Sequence, residues 1–146
     1  MSKSNAFETE LILHIFQNAN IADVGDAIGL RGSTAAGSLF LSLHTADPGE
    51  AGAASTSEIA YTGYARQAVA RSIAGFTVAG NAVTLTVNVD FPEMTAGAGG
   101  NVTHFAISKA LTGAAVVLYK GTVTPNITVA VGVTPRLKAA TSVTED

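Results

Sequence analysis

Phe76-Thr77-Val78-Ala79-Gly80-Asn81-Ala82-Val83-Thr84-Leu85-Thr86-Val87-Asn88-Val89-Asp90 is the stretch that decides the fold class. Phe76 and Val78 precede Gly80-Asn81, and Val83, Leu85, Val87 and Val89 follow it at every second position. Period-two alternation places those side chains on one face of a strand. A two-residue Gly-Asn connection between two such runs signals a tight hairpin. Phe91-Pro92 ends the second strand, because proline has no N–H to give to a ladder.

The same period extends in both directions. Upstream, Leu39, Leu41 and Leu43 alternate with Phe40, Ser42 and His44, and the run stops at the turn Asp47-Pro48-Gly49. Residues 50–57 are small and polar and read as an exposed loop. Residues 59–73 read as largely extended with a break near Gly63; Tyr64, Arg66, Ala68 and Ala70 share one face, and Gln67, Val69, Arg71 and Ile73 the other. Downstream, residues 94–100 form a Gly/Ala loop, and further strands are expected at 102–108, 115–119 and 127–131. Before all of these, Phe7, Leu11, Ile12, Ile15 and Phe16 fall on one stripe of a helix over residues 5–18, with Asn5 and Glu8 as a capping pair. The loop at 19–37 has room for a second short helix. One helix followed by about seven short strands predicts a mainly β fold, an antiparallel β-sandwich or barrel with an N-terminal α-helix. The expected organisation is a single domain over 1–146: helix and arm at 1–37, β-domain at 38–138 and polar tail at 139–146.

Composition narrows the function. With no cysteine, thiolate metal sites, cysteine nucleophiles and disulfides are excluded. Net charge is −3, which removes the electrostatic route to nucleic acid. Only 13% of residues are charged, half the usual share of about 25%. Such a surface suits either a small apolar-rich monomer or a subunit covered by neighbours. No run approaches the roughly 20 apolar residues of a membrane span, and the N-terminus does not read as a signal peptide. Residues 1–50 carry a net −4 and residues 101–146 a net +2, a pattern compatible with head-to-tail packing of unlike ends or with an ordinary surface dipole.

Catalytic patterns do not assemble. His14, His44 and His104 lie far apart, without carboxylates at ligand spacing, and read as structural. There is no Gly-x-Ser-x-Gly elbow. Gly97-Ala98-Gly99-Gly100 lacks the Lys-Ser/Thr and the helix of a phosphate loop. Glu50, Glu58, Asp90 and Glu93 could in principle pair for glycoside chemistry, but they read as solvated surface acids. No catalytic residue, cofactor or metal is therefore expected.

Leu41-Ser42-Leu43-His44-Thr45-Ala46-Asp47-Pro48-Gly49-Glu50 resembles a family of small virion proteins of tailed bacteriophages, often labelled tail fibre proteins. Glu58-Ile59-Ala60-Tyr61-Thr62-Gly63-Tyr64-Ala65-Arg66 and Val69-Ala70-Arg71 add to the resemblance, with weaker echoes at Phe91-Pro92, Thr103-His104-Phe105, Leu118-Tyr119 and Val133-Thr134-Pro135. It implies a non-enzymatic virion subunit made in the bacterial cytoplasm. At 146 residues and without repeats, the chain suits a head decoration (cement) subunit on the capsid, or a small tail or adaptor subunit, better than a fibre shaft. Its expected partners are itself, as trimer or dimer, and other virion proteins, the major capsid protein first, with no nucleic acid and no membrane. A carbohydrate-binding β-sandwich, with Tyr61 and Tyr64 as stacking platforms, is the rival from another class. The candidate interface residues are Phe7, Leu11, Ile15, Phe16, Asp47, Glu50, Tyr61, Tyr64, Arg66 and Arg71. Asp47 or Glu50 is expected to meet a basic group of another virion protein, and Arg66 and Arg71 either to pair with acids across an interface or to be solvated.

Overall fold

The structure, a computed structural model, describes residues 3–145. It is mainly β, with an N-terminal helix α1 (Asn5–Gln17) and nine strands: β1 (Ser38–His44), β2 (Gln67–Ala70), β3 (Phe76–Ala79), β4 (Ala82–Leu85), β5 (Val89–Asp90), β6 (Gly100–Ser108), β7 (Val117–Val129), β8 (Arg136–Leu137) and β9 (Ser142–Thr144). They form sheets of order β2-β1-β6-β7, β3-β4-β9 and β5-β8. The pairs β1–β6, β6–β7, β3–β4, β4–β9 and β5–β8 are all antiparallel. The chain divides into two compact units, one drawn from Met1–Ser38, Val69–Val87 and Ala139–Asp146, the other from Leu39–Ala68 and Asn88–Lys138.

The first unit is built on the expected hairpin. β3 and β4 pair with Phe76 opposite Leu85 and Ala79 opposite Ala82, so Gly80-Asn81 is the two-residue turn. Gly80 has φ +61°, which glycine adopts without a Cβ clash. Phe76, Val83 and Leu85 are buried on one face, and the rings of Phe16 and Phe76 meet edge-on at 4.9 Å. The helix is capped by Ser4, whose Oγ accepts the Phe7 N–H, one residue earlier than the expected Asn5. Asn18 ends it in the left-handed conformation, with its N–H on the Leu13 carbonyl. Ile12 and Phe16 are fully buried, whereas Phe7, Leu11 and Ile15 are only half-buried.

Three expectations here are corrected. The loop after α1 holds no second helix; Ile21 and Leu30 pair across a small antiparallel bridge instead. The strand expected through Asp90 breaks after Leu85 and resumes as β5. The stretch read as a polar tail contains β9, which pairs with β4, Val143 opposite Val83. Long-range pairing, not local pattern, makes that strand.

In the second unit β1 is covered on both faces: Leu41, Ser42, Leu43 and His44 are all buried. Leu41 lies opposite Ile107 and Leu43 opposite Phe105 on β6. The two runs expected at 115–119 and 127–131 are one strand, β7, with a local displacement. β6 advances only from Val102 to His104 while β7 runs from Ile127 to Thr122, so residues 123–126 have no one-to-one partner. Gly121 lies under the Phe105 ring, where an added Cβ would come within 2.7 Å of Cε1. Of residues 59–73, only Gln67–Ala70 is a strand, and the rest is irregular apart from a bridge at Thr62.

Burial sets the expected mutational ranking. Phe16→Ala should cost about 3–5 kcal/mol through lost contact and a residual cavity. Leu11→Ala, at a half-buried site, should cost about 1 kcal/mol. Urea denaturation followed by far-ultraviolet circular dichroism reads both; equal losses would contradict the ranking.

Candidate interaction surface

Glu58 is the hub of the second unit. Its Oε1 accepts from Arg66 Nε at 2.8 Å and from the Tyr64 hydroxyl at 2.9 Å, and its Oε2 accepts from the second Arg66 terminal nitrogen at 2.7 Å. The pair is bidentate, the geometry in which a guanidinium fork matches a carboxylate. Arg66 also donates to the carbonyls of Ala110 at 3.0 Å and Gly113 at 2.8 Å, fixing the turn between β6 and β7. Tyr64 in turn accepts the Leu43 N–H at 3.1 Å. Side-chain exposure is 3% for Arg66 and 15% for Glu58, so this is an internal ion pair. Burial pushes the Tyr64 phenol well above its ordinary range, while the Glu58 carboxylate raises Arg66 further. Glu58 is therefore not a solvated surface acid, and Arg66 finds its acid within the same chain. One sign of the cluster is legible in the sequence: Tyr64 and Arg66 share a face of the segment. The turn at Gly63, where Tyr64 N–H bonds to Tyr61 O, breaks the parity that would have linked Glu58 to them.

The aromatics sit in the same cluster. The Tyr61 and Tyr64 rings meet edge-on at 5.3 Å, and Tyr64 stacks on Phe91 at 6.1 Å. The Tyr61 hydroxyl donates to the Pro92 carbonyl at 2.7 Å. Tyr61 is buried, and Tyr64 lies within the cluster with its hydroxyl bonded on two sides, so neither offers a sugar-stacking face.

Arg71, in the first unit, also turns inward. Its Nε donates to the Ile15 carbonyl at 2.6 Å and one terminal nitrogen donates to His14 O, at the C-terminal end of α1. There the helix dipole and the unpaired carbonyls both favour a cation. The other terminal nitrogen reaches the hydroxyl of Ser33 at 3.3 Å.

Asp47 and Glu50 do meet a base, but it is Lys120 of β7, at 2.9 Å and 3.2 Å. Asp47 also accepts the Gly49 N–H at 2.8 Å, and that bond, ahead of Lys120, lowers its pKa. The acids of the N-terminal third and a base of the C-terminal third thus neutralise each other within one chain. The first unit carries three bases against six acids, the second five of each. This outer clamp is loosely held, since the Glu50 side chain is 95% exposed.

Ser42 and His44 form a hydroxyl–imidazole pair of the kind catalytic sites use. The ring Nδ1–H donates to the Thr56 carbonyl at 2.8 Å, which leaves Nε2 to accept from the Ser42 hydroxyl at 2.8 Å. Both residues are fully buried, so no substrate reaches them. Among the described residues, no group of three or more His, Asp or Glu side chains is placed to hold a metal ion.

Two outcomes follow from this geometry. Glu58→Gln should destabilise by about 3–5 kcal/mol, because it leaves a buried guanidinium without its counter-charge. The double variant with Arg66→Met should cost less than the sum of the two single changes, measured by urea denaturation. Burial holds His44 below its ordinary value of 6.5, so its contribution is complete above that pH and is lost as pH falls through the lower folded value. The melting temperature should therefore drop from pH 7 toward pH 5, and His44→Gln should flatten that part of the profile.

No curated protein matches the chain. The family described as podophage GP4 fiber I protein gp80 matches it over residues 2–144. The match takes in the hairpin, β1 with the 41–50 run, the Glu58 cluster and the long strand β7. On that coverage, the chain belongs to the podophage GP4 fiber I protein gp80 family, a family of phage virion structural proteins.

Proposed function

We propose that this protein is a non-enzymatic structural subunit at the tail of a podophage virion, part of a fibre or of its attachment, held by contacts with copies of itself and with other virion proteins. The observation that carries this is the fibre-protein family match across nearly the whole chain. The chemistry agrees. The Ser42–His44 pair is sealed in the core, and the carboxylate at Glu58 is occupied by Arg66 and Tyr64. Several large apolar side chains lie outside: Val116 and Leu118 near the Lys120 clamp, and Ile28, Ile73, Val87 and Val131 elsewhere. Few charges must be desolvated when such surfaces are covered. Repeated copies let a weak contact per subunit suffice.

Head decoration makes the opposite physiological prediction. Virions produced without this protein should keep their heat stability and lose adsorption to host cells. Particles that adsorb normally but burst at lower temperature would overturn the tail reading and give the protein a place on the capsid lattice.

A further inference from the structure

Residues 46–56 form an Ω-loop over the end of β1. Its neck is closed where Thr45 N–H bonds to Ser57 O at 2.9 Å. Its own bonds run from Gly49 N–H to Asp47 Oδ1, from Ala53 N–H to Thr56 Oγ1 and from Thr56 N–H to Ala53 O. Of its side chains only Pro48 and Ala54 are buried. The loop is fastened to its surroundings at separate points. Ala54 N–H bonds to Ala115 O at 2.8 Å, just before β7, and Lys120 of β7 holds Asp47 and Glu50. From beneath, His44 Nδ1–H donates to Thr56 O at 2.8 Å. His44 is fully buried, and the charged or titratable groups that face it are Glu58 after the loop, Arg66 before β2 and His104, opposite it on β6. The one acid among these three is already held by Arg66 and Tyr64.

We propose that this loop is an acid-released flap: a proton on His44 lifts residues 46–56 from the sheet while the sheet itself stays folded. The neutral ring fits the closed state, because Nδ1–H donates to Thr56 O while Nε2 accepts from the Ser42 hydroxyl. A proton on Nε2 turns that acceptor into a donor. The Ser42 hydrogen must then swing toward the Ala106 carbonyl at 3.5 Å, the outer limit of a hydrogen bond. The ring also becomes a cation cut off from water, with Arg66 and His104 opposing its charge. The charged ring would hold Thr56 O more tightly, but desolvation outweighs that bond and keeps His44 below its ordinary value. Lifting the flap returns water to the ring and removes the penalty.

The opening is local because the parts differ in what holds them. The flap buries one proline and one alanine, whereas β1 beneath it is pinned by Leu41 and Leu43 against Ile107 and Phe105. Segments with few buried apolar contacts open at a lower cost than the core. The outer clamp answers to a different signal. The Gly49 N–H and Lys120 hold the Asp47 carboxyl below its usual range, so mild acid leaves the clamp charged. Salt weakens it instead, because Asp47 and Glu50 are exposed. Acid thus acts through His44 and salt through Lys120, and the two effects add.

Amide hydrogen exchange of the full chain, with each protection factor corrected for the intrinsic rate at its pH, tests this. Protection of the Ala54 amide should fall about tenfold from pH 7 to pH 5, while the amides of β6 keep theirs. In the wild type the fall should level off below the pH at which the His44 Cε1 resonance titrates. His44→Gln keeps a donor for Thr56 O without the charge, and should abolish the fall. Lys120→Ala should lower Ala54 protection by one common factor at every pH and leave the fall with pH unchanged. Equal loss at Ala54 and in β6 would overturn the flap and leave only an acid-sensitive fold. Constant Ala54 protection would overturn the proposal outright. A fall that persists in His44→Gln, or one that does not level off with the His44 titration, would overturn His44 as the trigger; the second readout decides it where the variant does not fold.

Discussion

The pairing of Glu58 with Arg66 is the interaction on which the second unit depends. A guanidinium and a carboxylate leave water here only because nearly every polar atom finds a partner. Arg66 makes four hydrogen bonds, two to Glu58 and one each to Ala110 and Gly113. Glu58 takes a third bond from Tyr64, and Tyr64 accepts the Leu43 N–H beside β1. Removing any member strands a buried polar group, which costs more than the bond itself contributes. The network thus reinforces the short backbone pairing of this irregular segment with β1, where Thr45 N–H bonds to Ser57 O and Ile59 N–H to Leu43 O.

Arg71 repeats the device in the first unit. Both arginines deliver donors to backbone carbonyls that secondary structure leaves unpaired. For Arg66 these are in the turn between β6 and β7, and for Arg71 at the C-terminal end of α1. A chain with few charges can place them this way, because one fixed guanidinium satisfies several carbonyls at once. The exposed pairs, Lys120 with Asp47 and Glu50, and Arg136 with Asp90, are of another kind, screened by solvent and salt.

What the sequence revealed follows the range of the interactions. The β3–β4 hairpin was legible because its turn and both strands lie within ten residues, and α1 because its stripe is local. β9 was not, since Ser142-Val143-Thr144 carries one apolar side chain and becomes a strand only against β4. β7 was split in two because its continuity depends on where β6 jumps register, which no local pattern encodes. Arg71 could be read as exposed because its partners are carbonyls 56 and 57 residues away. Glu58 was misread as solvated for the same reason its network works: the chain reverses at Gly63 to bring Tyr64 and Arg66 back onto it.

Edges and faces then divide the labour in assembly. A low-charge β protein is at risk of indiscriminate edge-to-edge pairing. Along β7, the outermost strand of its sheet, that route is obstructed in several ways. Ala53 bridges to Val116 and Ala54 N–H bonds to Ala115 O just before the strand begins. Lys120 adds a charge held by Asp47 and Glu50, and Pro125 removes a donor within the displaced residues 123–126. Strand addition is therefore disfavoured along most of the longest strand. Side-chain surfaces are then the better route to a specific contact, because their shape and chemistry select a partner. Backbone edges select none.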